Sequence, residues 1–236
     1  MERLGIISTG LMMADSDLLK KSTARAMKNE FGKADVFITD KTALILRHGN
    51  SPQNYILPHL INHRANIKAL KDIGVTEIVG VNSTGSLKKR LRPGMIIVPD
   101  DFITLTATPT IHHKSAVHIV PSLNEEVRHR IIRAALDNKI KVVRKGTYWQ
   151  TQGPRLETKV EIKMMARFAD VVGMTMANEA VIAQELEIPY ASVCSLDNFA
   201  NGLLEKPLGI EEIREGTRKN AALMKKILQS YLKLFL

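Results

Sequence analysis

At 236 residues, 44% hydrophobic and 25% charged, the chain has the length and composition of one large globular domain, 1–236, with a full core. A single cysteine, Cys194, excludes a disulfide framework and a cysteine-based metal site. No apolar run reaches the roughly 20 residues of a membrane span, and the opening MERLGIISTG has no apolar signal-peptide core, so a reducing cytoplasm is the expected setting. The formal net charge of +10 is scattered over clusters at 88–92, 128–133 and 225–226, and aromatics are only 5%, so nucleic acid is not the expected partner.

Residues 4–7 form a short apolar strand ending in Ser8-Thr9-Gly10. This hydroxyl-rich turn either holds an anion with backbone N–H groups or is a plain turn. Residues 35–38 and 42–46 read as two strands joined at Asp40-Lys41, and the second delivers Arg47-His48-Gly49. A guanidinium at a strand end is suited to clamp an oxyanion bidentately; a surface turn is the alternative.

Residues 62–72 have helical spacing, with Ala65, Ile67, Ala69 and Leu70 apolar and Gly74 as the stop. A buried strand at 78–81 then runs into Asn82-Ser83-Thr84-Gly85, a second small polar strand end. Arg92-Pro93-Gly94 turns the chain into a further strand at 95–100. His112, His113 and His118 follow in a loop and lack the spacing of a metal site.

An amphipathic helix at 123–136 precedes a strand that begins at Val142-Val143. Further helices are expected at 160–168, and at 180–186 with an opening near Asn178-Glu179. A long amphipathic helix at 210–236, interrupted near Gly216, closes the chain. Strands alternate with helices without a linker or repeat, which gives a single-domain α/β fold with a central mixed or mainly parallel β-sheet flanked by helices.

Polar residues cluster most densely between 146 and 201, just past apolar runs, where an open α/β sheet collects its ligand. They include the turn Gly153-Pro154-Arg155, Glu157, Met174-Thr175, and Asp197-Asn198. There is no GxGxxG, no GxxxxGK[ST], no HExxH and no GxSxG, and no serine or cysteine nucleophile stands at a telling distance from histidine. Hydroxyls, amides, one Arg-His pair and one Glu suit a reaction driven by positioning and charge stabilisation.

IISTGL, RHG, PHLINHRANIKALKDIGV, NSTGSL, RPGMIIVPDDFI, QGPRLETKVEI, VVGMT with EAVIAQELEIPYAS, and DNFANG occur in this order. Together they resemble the trimeric purine nucleoside phosphorylase / methylthioadenosine phosphorylase family, over nearly the whole chain. The resemblance implies phosphorolysis of a purine nucleoside to free base and ribose 1-phosphate, by a homotrimer or dimer of trimers. It implies no metal or organic cofactor, with inorganic phosphate as co-substrate.

Carried over residue by residue, the phosphate pocket is Ser8, Thr9, Arg47, His48 and Thr175, with Asn82 and Ser83 near phosphate and base. Met174 lies against the ribose, and Glu157 and Asn198 face the purine, so that Asn198, Glu157 and His48 form the catalytic set. Members that cleave 6-aminopurines carry aspartates where this chain has Asn198 and Ala200; Asn198 with Glu157 is the combination for 6-oxopurines. Members that take ordinary nucleosides place a histidine where Ile210 stands here, and an apolar wall suits a 5′-methylthio group. The resemblance therefore implies 5′-methylthioinosine, with methylthioadenosine, inosine or guanosine as alternatives; Ile210 packed into the core is the competing reading of that position. A purine-binding protein without turnover is the alternative outside the enzymes.

The chain departs from the family in its first loop, which lacks two glycines before Thr9, and after Gly49, where a stretch is longer and lacks a histidine. Asn82 stands for a hydroxyl and Asn178 for a proline.

Overall fold

The computed structural model describes residues 2–235. Its centre is β5 (Val75–Ser86), a strand of 12 residues that serves three neighbours. On one edge it runs parallel to β1 (Arg3–Ser8), from Arg3↔Val75 to Ile7↔Gly80. Beyond β1 that same edge takes β10 (Val171–Gly173) antiparallel, Val171↔Ser86 and Val172↔Gly85. The other edge lies parallel to β11 (Tyr190–Phe199) from Tyr190↔Ile78 to Phe199↔Ser86, with a register shift between Leu196 and Asn198.

Outward from β1 come β4 (Thr42–Leu46), β3 (Gly32–Ile38) and β2 (Thr23–Asn29). Outward from β10 come β9 (Thr147–Gln150) and β7 (Asp101–Thr104); β6 (Ile96–Ile97) and β8 (Val142–Val143) continue from β11. Parallel and antiparallel pairs both occur, so the sheet is mixed.

The central strands are apolar almost without interruption because both their faces are covered. Along β4 the side chains alternate: Ala43 and Ile45 enter one core, Leu44 and Leu46 the other. The first core is closed by α3 (His63–Asp72) and α6 (Met176–Glu185), through Ile67, Leu70, Ala180 and Ala183. The second is closed by α4 (Glu125–Asp137) and α7 (Ile210–Phe235), through Val127, Ile131, Met224, Ile227 and Tyr231. Each buried aliphatic side chain of this kind contributes roughly 1.5–3 kcal/mol. A smaller cluster of Leu87, Trp149, Ile162, Met165, Ala169, Val172 and Ala200 sits under α5 (Lys159–Met165).

Helix starts follow local chemistry. The side chains of Asn62 and Asn124 accept from the backbone N–H of Ala65 and Val127, both at 3.0 Å. Thr158 and Glu161 form a reciprocal capping box at the start of α5.

Four sequence expectations need correction. The strand expected at 95–100 is reduced to Ile96–Ile97, since Pro99 can donate no ladder bond. The helix expected to open near Asn178 starts at Met176, because the side chain of Gln150 caps it from another strand. Residues 23–38, read only from Asp35, form a hairpin of β2 and β3.

No break occurs at Gly216: α7 is continuous over 26 residues. A β-carbon at 216 would lie 2.0 Å from the carbonyl oxygen of Asp197, so this glycine lets the helix rest on the β11 backbone. Leu236, the expected last residue of the helix, lies outside the described residues.

Candidate active site

The parallel strands β1 and β4 end side by side against the middle of β5, which runs on through Asn82–Gly85 to Ser86 where the sequence suggested a strand end, and so bring Ser8 and Arg47 to Asn82. Thr175 joins them from the turn between β10 and α6: its Oγ1 accepts from Asn82 Nδ2 at 2.8 Å. Asn82 Oδ1 in turn accepts from Ser192 Oγ at 2.7 Å. Because the Thr175 oxygen is an acceptor here, its own hydroxyl proton is free to donate elsewhere.

Ser8 Oγ is fully buried and has no hydrogen-bond partner among the described residues. An unsatisfied buried hydroxyl costs roughly 1–3 kcal/mol, so it points to a polar group supplied from outside the chain. Thr9 Oγ1 accepts from the N–H of Met12 at 3.2 Å, opening the short helix α1 (Gly10–Met13).

Arg47 behaves differently from the sequence expectation. Its side chain is folded inward, donating from Nε to Glu179 Oε1 at 2.6 Å and from Nη2 to Glu179 Oε2 at 3.2 Å. Nη2 also donates to Ile7 O at 2.7 Å, and Nη1 to Val81 O at 2.8 Å. The bidentate edge proposed for an anion is therefore occupied by a carboxylate. Of five N–H groups, one on Nη1 is uncommitted.

His48 follows, with its ring stacked on Tyr55 at 4.9 Å between centroids and 6° between planes. Nδ1 lies 2.8 Å from Ile56 O. A carbonyl can only accept, so Nδ1 carries the proton and Nε2 is a bare acceptor in the neutral ring. Burial, aided by the neighbouring Arg47 guanidinium and opposed by the Ile56 bond, lowers the His48 pKa from 6.5 to about 4.

The far wall is built from β9, β11 and their loops. Glu157 is 6% exposed; its Oε1 accepts from Thr151 Oγ1 at 2.7 Å, and its backbone carbonyl accepts from Asn201 Nδ2 at 2.8 Å. Asn198, 4% exposed, donates from Nδ2 to Phe199 O at 2.9 Å, which leaves the second amide hydrogen free. Met174 packs over the turn that leads to Glu157: a β-carbon on Gly153 would come within 2.5 Å of its sulfur.

Three other candidates are placed less directly. Ser83 Oγ lies 3.4 Å from Thr217 Oγ1, at the edge of a buried cluster around Asp197. There Thr217 and Asn220 donate to the two carboxylate oxygens at 2.6 and 2.7 Å. Burial raises the Asp197 pKa against these hydrogen bonds. The methyl of Ala200 belongs to the apolar cluster with Trp149 and Val172. Ile210 opens α7 and is 57% exposed, so the core-packing reading of this residue does not hold.

The residues missed from sequence are Thr151 and Gln150; Glu179 was read only as part of a helix opening, and Asp197 only as a polar residue at a strand end. Gln150 Oε1 accepts from the N–H groups of Ala177 and Asn178 at 2.6 and 3.3 Å and so fixes the start of α6 behind Thr175. The signal for Thr151 was a hydroxyl just past an apolar strand, six residues before Glu157.

Residues 15–233 match the phosphorylase superfamily. The chain belongs to that superfamily. A probable 6-oxopurine nucleoside phosphorylase of Archaeoglobus fulgidus is 37% identical over 235 residues, covering 98% of this chain and 96% of the relative. A probable S-methyl-5′-thioinosine phosphorylase of Methanocaldococcus jannaschii is also 37% identical over 235 residues, covering 97% and 91%. Among solved structures of the superfamily, methylthioadenosine phosphorylase from Schistosoma mansoni in complex with adenine superposes with a TM-score of 0.90. It is 27% identical, and the match covers 100% of this chain and 92% of that one.

Proposed function

We propose that the protein is a pentosyltransferase that uses inorganic phosphate to cleave the N-glycosidic bond of a 6-oxopurine nucleoside. The preferred substrate in this reading is 5′-methylthioinosine, which gives hypoxanthine and 5-methylthioribose 1-phosphate. The observation that supports it is a buried carboxylate and a buried amide, Glu157 and Asn198, each with hydrogen-bonding capacity uncommitted, together with the unpartnered Ser8 hydroxyl.

Phosphate is held by the hydroxyls of Ser8, Thr9 and Thr175 and the free Nη1 hydrogen of Arg47, and His48 Nε2 accepts from a protonated phosphate oxygen. A phosphate oxygen bonds to C1′ as the C1′–N9 bond breaks, and the electron pair leaves with the purine. The dianion beneath the sugar stabilises the positive charge that develops on the ribosyl ring. The free Asn198 amide hydrogen donates to N7 as negative charge gathers on the base, and Glu157 as a carboxylate accepts from N1–H.

Adenine presents a bare N1 lone pair to Glu157, and an unpaired buried acceptor costs roughly 1–3 kcal/mol, which disfavours 6-aminopurine nucleosides. At the other end of the sugar, Ile210 offers an apolar side chain to the 5′ substituent. The exposed Tyr55, Leu57, Leu60, Leu105, Val117 and Val120 supply apolar surface for the neighbouring subunits of a homotrimer. No helix of the described residues is long and apolar enough to cross a membrane, and we place the enzyme in the cytoplasm, working without metal or organic cofactor.

The test is phosphate-dependent turnover of methylthioinosine, methylthioadenosine, inosine and guanosine. Highest kcat/KM for methylthioinosine supports the reading; hypoxanthine binding without turnover of any of the four overturns it in favour of a purine-binding protein. Asn198→Asp should raise the adenine-to-hypoxanthine activity ratio roughly tenfold or more, and an unchanged ratio would count against the base assignment.

A further inference from the structure

We infer that Thr151 is a specificity-determining residue, which sets Glu157 to receive a purine edge with one N–H donor and so favours hypoxanthine over guanine nucleosides. The inference rests on the 6-oxopurine reading above and adds the choice between the two common 6-oxopurines.

The two bases differ at C2. Hypoxanthine shows one donor on this edge, N1–H; guanine shows two side by side, N1–H and an exocyclic N2–H. A carboxylate with both oxygens open matches the two-donor edge, as it matches the fork of a guanidinium. Glu157 is not open in this way. Thr151 Oγ1 already donates to Oε1 at 2.7 Å, and Oε2 has no donor among the described residues.

The arrangement is held firmly at both ends. The Thr151 backbone N–H donates to Gly173 O at 2.9 Å, which ties it to β10 directly past the end of β9. The Glu157 carbonyl is tied by Asn201 Nδ2 at 2.8 Å, so the carboxylate cannot move away from the hydroxyl by a shift of its own backbone. A polar group supported in this way by rigid elements keeps its geometry when ligand arrives.

With hypoxanthine bound, N1–H satisfies Oε2, Thr151 satisfies Oε1, and no carboxylate oxygen is left bare. With guanine bound, N2–H must share Oε1 with the threonine hydroxyl, taking the second of that oxygen's two acceptor positions in the geometry the hydroxyl leaves open. The hydroxyl therefore does for hypoxanthine what the exocyclic amine would do for guanine. Thr151 acts through Glu157 and is a positioning residue.

The experiment compares kcat/KM for inosine and guanosine, and for their 5′-methylthio forms, in the wild-type chain, Thr151→Val and Thr151→Ser. Valine keeps the shape and removes the donor; serine keeps the donor. In Thr151→Val the hypoxanthine nucleosides should lose tenfold or more, and the guanine nucleosides less, because N2–H takes the vacated oxygen. The hypoxanthine-to-guanine ratio then falls at least threefold, and Thr151→Ser returns it towards the wild-type value.

Equal losses for both bases in Thr151→Val, or a serine variant that behaves like valine, would overturn the inference and leave the 6-oxopurine reading standing. A wild-type chain that turns over no 6-oxopurine nucleoside would bring down both. A melting temperature for each variant separates a folding defect from a change of preference, and the ratio within one variant is independent of how much of it is folded.

Discussion

The buried pair of Arg47 and Glu179 offers the sharpest test of how the proposed phosphate end is built. Both side chains are 1% exposed, and the two contacts at 2.6 and 3.2 Å are joined by Tyr190 Oη donating to Glu179 Oε2 at 2.8 Å. Glu179→Ala would leave the guanidinium charge buried with only two backbone carbonyls as partners. Breaking a buried pair from one side costs roughly 3–5 kcal/mol, a large share of the roughly 5–15 kcal/mol that holds a folded protein together. For a chain of this size each kcal/mol shifts the melting temperature by about 2–4 °C, so the expected fall is roughly 6–20 °C. Replacing both residues, as Arg47→Met with Glu179→Leu, should recover much of that loss, because apolar side chains of similar volume can fill the space without an unpaired charge. Phosphorolysis should not recover, since the Nη1 hydrogen is gone and the His48 environment has changed. Thermal melting of Glu179→Ala and of the double variant, with phosphate saturation curves for each, reads both effects. A Glu179→Ala protein that melts within 2 °C of the wild type, or a double variant that regains phosphate affinity, would refute this account of Arg47.

Two further predictions follow from burial and close packing. His48 titrates at about 4 and His63 at about 3 in the folded chain, against 6.5 for a free ring, with burial the main cause in each. Below pH 6.5 the unfolded chain takes up protons that the folded one refuses, so stability should fall as pH drops from 6.5 towards 4. His48 alone accounts for roughly 3 kcal/mol of that loss, at about 1.4 kcal/mol per unit. Denaturant titrations at pH 7 and pH 4.5 should show a smaller difference for His63→Leu than for the wild type; identical differences would refute the assignment. Gly216→Ala should lower the melting temperature even though alanine favours helix by about 1 kcal/mol. The added carbon would sit 2.0 Å from Asp197 O and 2.6 Å from its carbonyl carbon, and relieving such overpacking costs typically 1–3 kcal/mol or more. A stabilised variant would show that α7 does not rest on β11 as described.

The central strands were legible because they are covered on both faces and therefore carry unbroken apolar runs, as in Leu44 and Ile45. The edge strand β2, TARAMKN, is exposed along most of its length and becomes a strand only through its pairing with β3. Nothing in its own residues distinguishes it from a loop. Contacts of long sequence range were likewise invisible. Glu179 stands 132 positions from Arg47, and without it a guanidinium at a strand end reads as a free anion clamp. Gln150 caps α6 from 27 positions away, so the helix starts earlier than its local residues suggest. Gly216 shows the reverse case, where a weak helix former is kept because of what lies beside it.

The strand and helix that touch at Asp197 and Gly216 share more than a boundary. With no side chain between them, α7 has almost no slack along this line, and Thr217 and Asn220 fasten the same spot to the Asp197 carboxylate. Residues 210–213, one to two turns before this weld, inherit its rigidity. With Ile210 at the sugar as proposed, changing which sugars are accepted is a matter of exchanging side chains at 210–213, while a swing of the whole helix would have to tear a bonded seam first.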